Sequence, residues 1–232
     1  MPNKVIHQTQ AGEIIFDGRK VAFLPKSKTL LVADLHFEKG SFLQMNGHAP
    51  LPAYDTQDTI NALAAVISDY EPSHVVALGD SFHDIDAGLR LSEGHSRAIN
   101  DMIKSLPEFT WILGNHDPDI PQSLLGQQQD HLTIDGFLLT HLPTGGAESV
   151  NICGHLHPKA KIKLRRRHLS KPCFACSDDR IIMPSFGTYT GGLWVTHTAI
   201  TDVLNAPAQY YATDGEDIFQ LSENSVQAYP SL

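Results

Sequence analysis

The chain has 232 residues, a formal net charge of −9 and an apolar fraction of 41%. This length is enough for one domain with a substantial core, and it contains neither an apolar run of membrane-spanning length nor a basic stretch followed by an apolar one near the start. We therefore expect a cytoplasmic protein, and the acidic balance disfavours one that coats nucleic acid or anionic membrane through bulk charge.

In the first half of the chain, short apolar runs alternate with segments of helical periodicity. Apolar residues three or four positions apart predict a helix over residues 55–70, and residues 87–106 are expected to form one or two helices with a break at Gly94. Asp17-Gly18 is typical of a hairpin turn. Unbroken apolar runs are expected to be strands buried on both faces. The predicted strands here are residues 5–6, 13–16, 21–24, 29–33, 75–78 and 109–113.

The second half is dominated by hairpins. Asp135-Gly136 predicts a turn between residues 132–134 and 137–140, and Asp214-Gly215 predicts another. Cys173 and Cys176 lie three apart in a predicted strand, so they face opposite sides and are expected to pack in a sheet rather than bind zinc. Further strands are predicted at residues 150–153, 160–165, 172–176, 180–186 and 192–197.

The order of these elements predicts the fold class. Strands alternate with helices early and hairpins follow, which is typical of a mixed α/β fold with two mixed sheets packed face to face and helices outside. No repeat, low-complexity tract or linker divides the sequence. We therefore expect residues 1–232 to form a single domain.

Polar motifs follow five of the predicted strands directly. Ligands of α/β sheets bind beyond the carboxyl ends of the strands, so these motifs are expected to converge. On extended backbone, residues i and i+2 point the same way, so Asp34 and His36 are expected to hold one ion, and His155 and His157 to face one cavity. The motifs are Asp34-Leu35-His36, Gly79-Asp80, Gly114-Asn115-His116-Asp117, His141 and Gly154-His155-Leu156-His157.

The donor types in these motifs indicate a metal site. Carboxylate, imidazole and amide oxygen ligands without a thiolate suit Mn, Fe or Zn and argue against a structural zinc site. In this order, the motifs resemble the signature of the calcineurin-like metallophosphoesterases across residues 34–157. The resemblance implies a four-layer sandwich that binds two divalent ions and hydrolyses phosphate esters. We expect Mn, with Fe, Zn, Ni or Mg as alternatives.

The resemblance also implies a role for each residue. A hydroxide bridging the two ions would attack phosphorus in line, and His116 would protonate the leaving oxygen or bind the phosphate. Asp34, His36 and His157 would hold the first ion, Asn115, His141 and His155 the second, and Asp80 both.

Two further segments, residues 34–40 and 184–192, resemble the bacterial ligase-associated subfamily, whose members are named as DNA-damage-response phosphoesterases or endonucleases. This implies a phosphodiesterase acting on nucleic acid or nucleotides, in association with DNA-repair proteins. One alternative is a phosphomonoesterase or cyclic-nucleotide phosphodiesterase that acts on small molecules. Another is a non-catalytic scaffold, which would require a degraded ligand set that this sequence does not show.

For two groups of residues the sequence is compatible with more than one role. Many relatives carry an acidic residue three positions after the bridging aspartate, where this chain has His83, followed by Asp84. Either Asp84 orients His116, or His83 approaches the site itself. Arg165, Arg166, Arg167 and Arg180 are the candidate contacts for substrate phosphates, and a solvated hairpin tip is the other interpretation of the arginine run.

Overall fold

The computed structural model describes residues 3–47, 54–145, 149–164, 167–204 and 207–221, and it contains two large β-sheets. In the first sheet the strands stand in chain order. The first four strands are antiparallel neighbours, and the fourth to seventh are parallel. Its strands are β1 (Lys4–Gln8), β2 (Glu13–Asp17), β3 (Val21–Leu24), β4 (Thr29–Val32), β5 (His74–Leu78), β6 (Glu108–Ile112) and β7 (Gln127–Gln129).

The second sheet is also mixed. Its strands are β8 (His131–Ile134), β9 (Phe137–Thr140), β10 (Val150–Cys153), β11 (Lys159–Leu164), β12 (Arg167–Cys176), β13 (Arg180–Ile182), β14 (Gln209–Thr213) and β15 (Ile218–Leu221). Their order is β15-β14-β12-β13-β10-β9-β8, and β11 extends from β12 as a hairpin. The three strands β9, β10 and β13 run parallel to one another.

The two sheets pack face to face, with helices on both outer faces. The alternation of buried side chains builds these layers: along β5, Val75 and Ala77 pack in the cluster under the helices, whereas Val76 and Leu78 pack in the cluster between the sheets. A third cluster lies between the second sheet and the last helix. This arrangement confirms the predicted sandwich. The helices are α1 (Lys39–Met45), α2 (Asp55–Tyr70), α3 (Ala87–Arg90), α4 (Glu93–Lys104) and α5 (Thr198–Leu204).

Several elements differ from the sequence prediction. The break between α3 and α4 falls at Ser92 rather than Gly94, because the Ser92 side chain caps α4 by accepting a hydrogen bond from the His95 N–H at 3.0 Å. Residues 192–197 form only an isolated bridge between Lys159 and Trp194 instead of a strand, and β13 ends at Ile182. Helices α1 and α5 were not predicted.

The cysteines behave as their spacing predicts. Cys173 packs in the cluster beneath α5, and Cys176 packs between the sheets, so the two side chains lie on opposite faces of β12. Together with Cys153 they are buried free thiols. Within the described ranges, no helix combines the length and the apolar character needed to cross a membrane.

A buried ion pair within the β2–β3 hairpin is hydrogen-bonded to α2. The fully buried Asp17 carboxylate accepts hydrogen bonds from Arg19 Nε and Nη2 at 3.0 and 2.9 Å and from the Tyr70 hydroxyl at 2.9 Å. Burial alone would raise the pKa of Asp17, but these hydrogen bonds hold it below its ordinary value. The contribution of this carboxylate to stability is therefore present above the ordinary aspartate pKa, and it is lost as pH falls through the lower folded-state value.

We expect Asp17→Ala to lower the free energy of unfolding by about 3 kcal/mol, because it leaves the Arg19 cation without its main buried partner. Asp69→Ala is the matched control, since Asp69 pairs with the same arginine but is 56% exposed, and we expect a loss of less than about 1 kcal/mol. Urea denaturation at neutral pH measures both values. Equal losses for the two variants would contradict the assignment.

Candidate metal centre

The carboxyl ends of parallel strands from both sheets meet at one end of the sandwich. Asp34, Asp80 and Asn115 follow β4, β5 and β6, while His141 and His155 follow β9 and β10. The two sets interlock through hydrogen bonds: the His155 N–H lies 3.1 Å from both carboxylate oxygens of Asp34, and His141 Nδ1 lies 3.1 Å from the Leu78 carbonyl oxygen. The motifs predicted to converge are therefore brought together.

Two glycines allow this close approach. A Cβ at Gly79 would lie 2.4 Å from the His141 ring, and one at Gly154 would lie 2.5 Å from Asp34 Oδ2. Gly79 also has a φ of +74°, a conformation that other residues rarely adopt. Both positions therefore require glycine for the strand ends to meet.

The converging side chains form two groups of three possible metal donors. In each group the donor atoms lie within 4.8 Å of one another. One group is Asp34, His36 and His157, and the other is Asp80, His141 and His155. Asn115 adds an amide oxygen to the second group, with Oδ1 2.9 Å from His141 Nε2.

Within each donor group, ring nitrogens of two histidines face each other. His36 Nε2 lies 3.4 Å from His157 Nε2, and His155 Nδ1 lies 3.2 Å from His141 Nε2. Carboxylate oxygens complete each set, because Asp34 Oδ1 is 3.2 Å from His157 Nε2 and Asp80 Oδ1 is 3.3 Å from His141 Nε2. Imidazole and carboxylate donors that converge in this way fit a pair of divalent ions of the Mn, Fe or Zn type.

The charge states of two donors also suit metal binding. Burial, together with the neighbouring His157, lowers the pKa of His36 to about 2, so its imidazole is neutral. Burial alone would raise the pKa of Asp80, but the hydrogen bond with His141 and nearby charge hold it at about 2, so the carboxylate is ionised. Neutral imidazole and ionised carboxylate are the forms that bind metals.

The local backbone explains the aim of these side chains and corrects one expectation. Asp34, His36, Asp80, His155 and His157 all have φ between 44° and 67°, in the left-handed region. The i, i+2 alternation of an extended strand was therefore the wrong reason for their convergence. His157 belongs to the first donor group and His155 to the second, as expected for histidines that hold two neighbouring ions. Non-glycine residues in this strained conformation cluster at functional sites.

The model of the calcineurin-like phosphoesterase family matches residues 27–199 of the chain. The chain belongs to the calcineurin-like phosphoesterase family. With this membership and the two donor groups, it is a metal-dependent hydrolase of phosphoester bonds.

Two solved structures illustrate the likeness. The phosphoesterase is 25% identical to the nuclease MPE of Pseudomonas putida, with a TM-score of 0.73 over 94% of this chain and 100% of that one. The YfcE phosphoesterase of E. coli is 14% identical and has a TM-score of 0.42, over 86% of this chain and 99% of that one. No curated protein sequence matches the chain significantly.

His116 of the phosphoesterase lies on the open side of the donor groups. Its side chain is 45% exposed, and its Nε2 lies 3.9 Å from Asp80 Oδ2. Its backbone N–H donates to Asp80 Oδ1 at 2.9 Å, which fixes the residue beside that carboxylate. The imidazole is thus exposed to solvent beside the donor groups.

His83 is the neighbour that supports the His116 ring. The two rings stack with a centroid distance of 5.7 Å and an interplanar angle of 10°. His83 Nδ1 also lies 3.2 Å from Nδ1 of His36, the ring nitrogen opposite the one that faces His157. A partner at this nitrogen fixes the orientation of a metal-binding imidazole.

Asp84 is engaged elsewhere. Both of its oxygens accept hydrogen bonds from Arg90, whose Nε also donates to Ser41 Oγ at 3.0 Å. In the described part of the chain, no contact joins Asp84 to His116. Of the two open alternatives, this geometry favours His83.

Asp117 is an organising residue whose role was not predicted from the sequence. Its buried carboxylate accepts hydrogen bonds from the N–H groups of Ser81 at 2.7 Å, Phe82 at 3.1 Å and Gly114 at 2.9 Å. These bonds tie the turn after Asp80 to the turn that carries Asn115. Burial raises the pKa of Asp117 to about 7 in spite of the hydrogen bonds. The sequence signal for this role is the position of Asp117, two residues after the candidate ligand Asn115.

Among the arginines predicted to contact substrate, Arg180 is the one whose side chain lies in the described part of the structure. Arg165, Arg166 and the side chain of Arg167 lie outside the described part of the structure. Arg180 pairs with Asn151 at the start of β13, away from the carboxyl end of that strand. Its Nη1 donates to the Thr144 carbonyl oxygen at 2.8 Å. The position of Arg180 therefore does not support a substrate contact.

Proposed function

We propose that this phosphoesterase is a manganese-dependent phosphodiesterase that hydrolyses nucleic acid or nucleotides. The observation that carries the proposal is the junction of the two donor groups. Asp34 Oδ1, in the first group, lies 3.8 Å from His141 Nδ1 in the second, so the two groups adjoin. A pair of adjoining sites with carboxylate and imidazole donors is the arrangement used for in-line displacement at phosphorus.

The proposal assigns a role to each residue. Asp34, His36 and His157 hold one ion, Asn115, His141 and His155 hold the other, and Asp80 lies between them. When bound, the two ions stabilise charge on the phosphoryl oxygens and lower the pKa of a water towards neutrality. His116 donates a proton from Nε2 to the leaving oxygen, and His83 holds the His116 ring by stacking.

Two lines of reasoning favour a diester of nucleic acid as the substrate. The Pseudomonas putida structure of similar length is named as a nuclease. The side chain of His116, 45% exposed, also leaves the site accessible to an extended strand. The proposal includes a cytoplasmic location and an association with DNA-repair proteins.

A panel of esters tests the proposal. With added Mn²⁺, we expect hydrolysis of an aryl phosphodiester and of single-stranded DNA, and much slower hydrolysis of an aryl monoester, a cyclic nucleotide and duplex DNA. A chelator should abolish activity. It should also lower the melting temperature, because ions that bind only the folded state stabilise it.

Two outcomes would contradict the proposal. If no ester were hydrolysed at saturating Mn²⁺, the protein would not be a manganese-dependent phosphoesterase. Faster hydrolysis of the monoester than of the diester would replace the phosphodiesterase with a phosphomonoesterase.

A further inference from the structure

A cavity of about 470 Å³ adjoins the metal centre on the side of His157. Its walls come from three separate parts of the chain: Lys20 in the β2–β3 hairpin, the loop of residues 185–191, and Lys159 with its neighbours in the β11–β12 hairpin. No aspartate or glutamate is among its described lining residues. The cavity therefore offers positive charge directly beside a metal-binding histidine.

Lys20 is a cation without an anionic partner in the described structure. Its Nζ lies 2.5 Å from the Phe186 carbonyl oxygen, and no described carboxylate pairs with it. Burial lowers the pKa of Lys20 to about 8. A partly buried cation that lacks a counter-charge gains free energy when an anion enters beside it.

Lys159 is held in place from two directions. Its Nζ lies 4.5 Å from the centre of the Trp194 ring, a cation–π contact. Its backbone N–H donates to the Leu193 carbonyl oxygen at 2.8 Å, and its carbonyl accepts from the Val195 N–H at 2.9 Å. The ammonium group is thus positioned by the fold rather than by a carboxylate.

The hairpin that carries Lys159 is basic, although the chain is acidic. Residues 159–171 contain four lysines and three arginines, out of 17 basic residues in the chain, and no aspartate or glutamate. Antiparallel pairing places Lys159 opposite Pro172, and Lys161 opposite Ser170, on the hairpin face that lines the cavity. This concentration of basic residues in one segment of the sequence favours a polyanion as the ligand even though the net charge of the chain is negative.

The loop on the opposite wall is fixed to the metal centre. Ser185 Oγ donates to the Asp34 carbonyl oxygen at 2.8 Å, and the Gly187 N–H donates to the same oxygen at 3.1 Å. This loop also presents Tyr189, which is 39% exposed and lines the cavity. Aromatic side chains beside a basic groove are the usual platform on which bases of single strands stack.

We propose that this cavity binds a phosphate of a single-stranded nucleic acid next to the phosphate at the metal centre, through Lys20 and Lys159, with Tyr189 stacking on a base. This inference rests on the proposed function for the identity of the strand. It adds a strand-binding site to the site of hydrolysis. A small diester reaches only the metal centre, whereas an oligonucleotide reaches both.

The test compares the double variant Lys20→Gln/Lys159→Gln with the wild type. Binding of a fluorescently labelled single-stranded oligonucleotide, measured by anisotropy with Mn²⁺, should weaken about a hundredfold, or about tenfold for each charge-assisted hydrogen bond to phosphate. Binding should also depend less on salt. The slope of log K against log salt concentration should become shallower by about 0.7 for each phosphate that is no longer neutralised by a lysine. Hydrolysis of bis(p-nitrophenyl) phosphate should stay within about twofold of the wild type, since neither lysine is assigned to the metal centre.

Two controls separate charge from structure. Lys104→Gln removes an exposed lysine on α4 and should leave oligonucleotide binding unchanged. Lys20→Arg/Lys159→Arg keeps both charges and should restore most of the binding. Unchanged binding by the glutamine variant, or an equal loss of binding and of small-diester hydrolysis, would overturn the inference. If the wild type hydrolysed no ester, the proposed function would be contradicted but the strand-binding inference would not, because anisotropy measures strand binding without turnover.

Discussion

Replacing Asp80 with asparagine is expected to lower kcat for an aryl phosphodiester by more than about a hundredfold. Removing only the hydrogen-bonding partner of a metal ligand already costs up to about a hundredfold, and this variant changes the ligand itself. Asparagine keeps the size of the side chain and an oxygen that accepts the His116 N–H, but it removes the negative charge. Because we assign Asp80 to both ions, the variant should also bind both of them more weakly. Steady-state kinetics and metal analysis of the purified protein measure these two effects.

The comparison with a ligand assigned to one ion makes this experiment specific. His157→Ala should lose one ion per chain and keep the other, because His157 belongs to the group of Asp34 and His36 alone. Asp101→Asn removes an exposed carboxylate on α4 that is 62% exposed and should change neither property. If Asp80→Asn and His157→Ala lost the same single ion, Asp80 would belong to one site only.

The convergence of the site was predictable because local sequence determines it. Short apolar runs that end in aspartate, asparagine or histidine predict the polar ends of parallel strands, and parallel strands place these ends at one edge. The reason given for Asp34 with His36 was nevertheless wrong, because the left-handed backbone at these residues cannot be read from the alternation of a strand. The same conformation places His155 and His157 in different donor groups.

Contacts between distant segments were not predictable. Asp84 pairs with Arg90, whose position depends on α3 and the packing of α1, so no local pattern separates Asp84 from His83 as the neighbour of His116. Lys20 and Lys159 are far apart in sequence and share a cavity only because the two sheets pack together. The short helices α1 and α5 were missed because seven residues give too little periodicity to distinguish a helix from a loop.

The role of His116 can be resolved by varying the leaving group. His116→Gln is expected to lower kcat for a nucleotide diester, which has a poorly acidic leaving alcohol, by about 10²- to 10⁴-fold. For a p-nitrophenyl diester the loss should be about tenfold or less, because a weakly basic phenolate departs without receiving a proton. The measurement is the dependence of log kcat on the pKa of the leaving group, which should become steeper in the variant.

Two further variants complete this test. His197→Gln removes an exposed imidazole near the start of α5 and should leave the dependence unchanged. His83→Ala removes the stacked neighbour of His116. It should therefore lower kcat for the diester with the poor leaving group, but by less than His116→Gln does. If His116→Gln slowed every ester by the same factor, the imidazole would bind the phosphate rather than protonate the leaving oxygen.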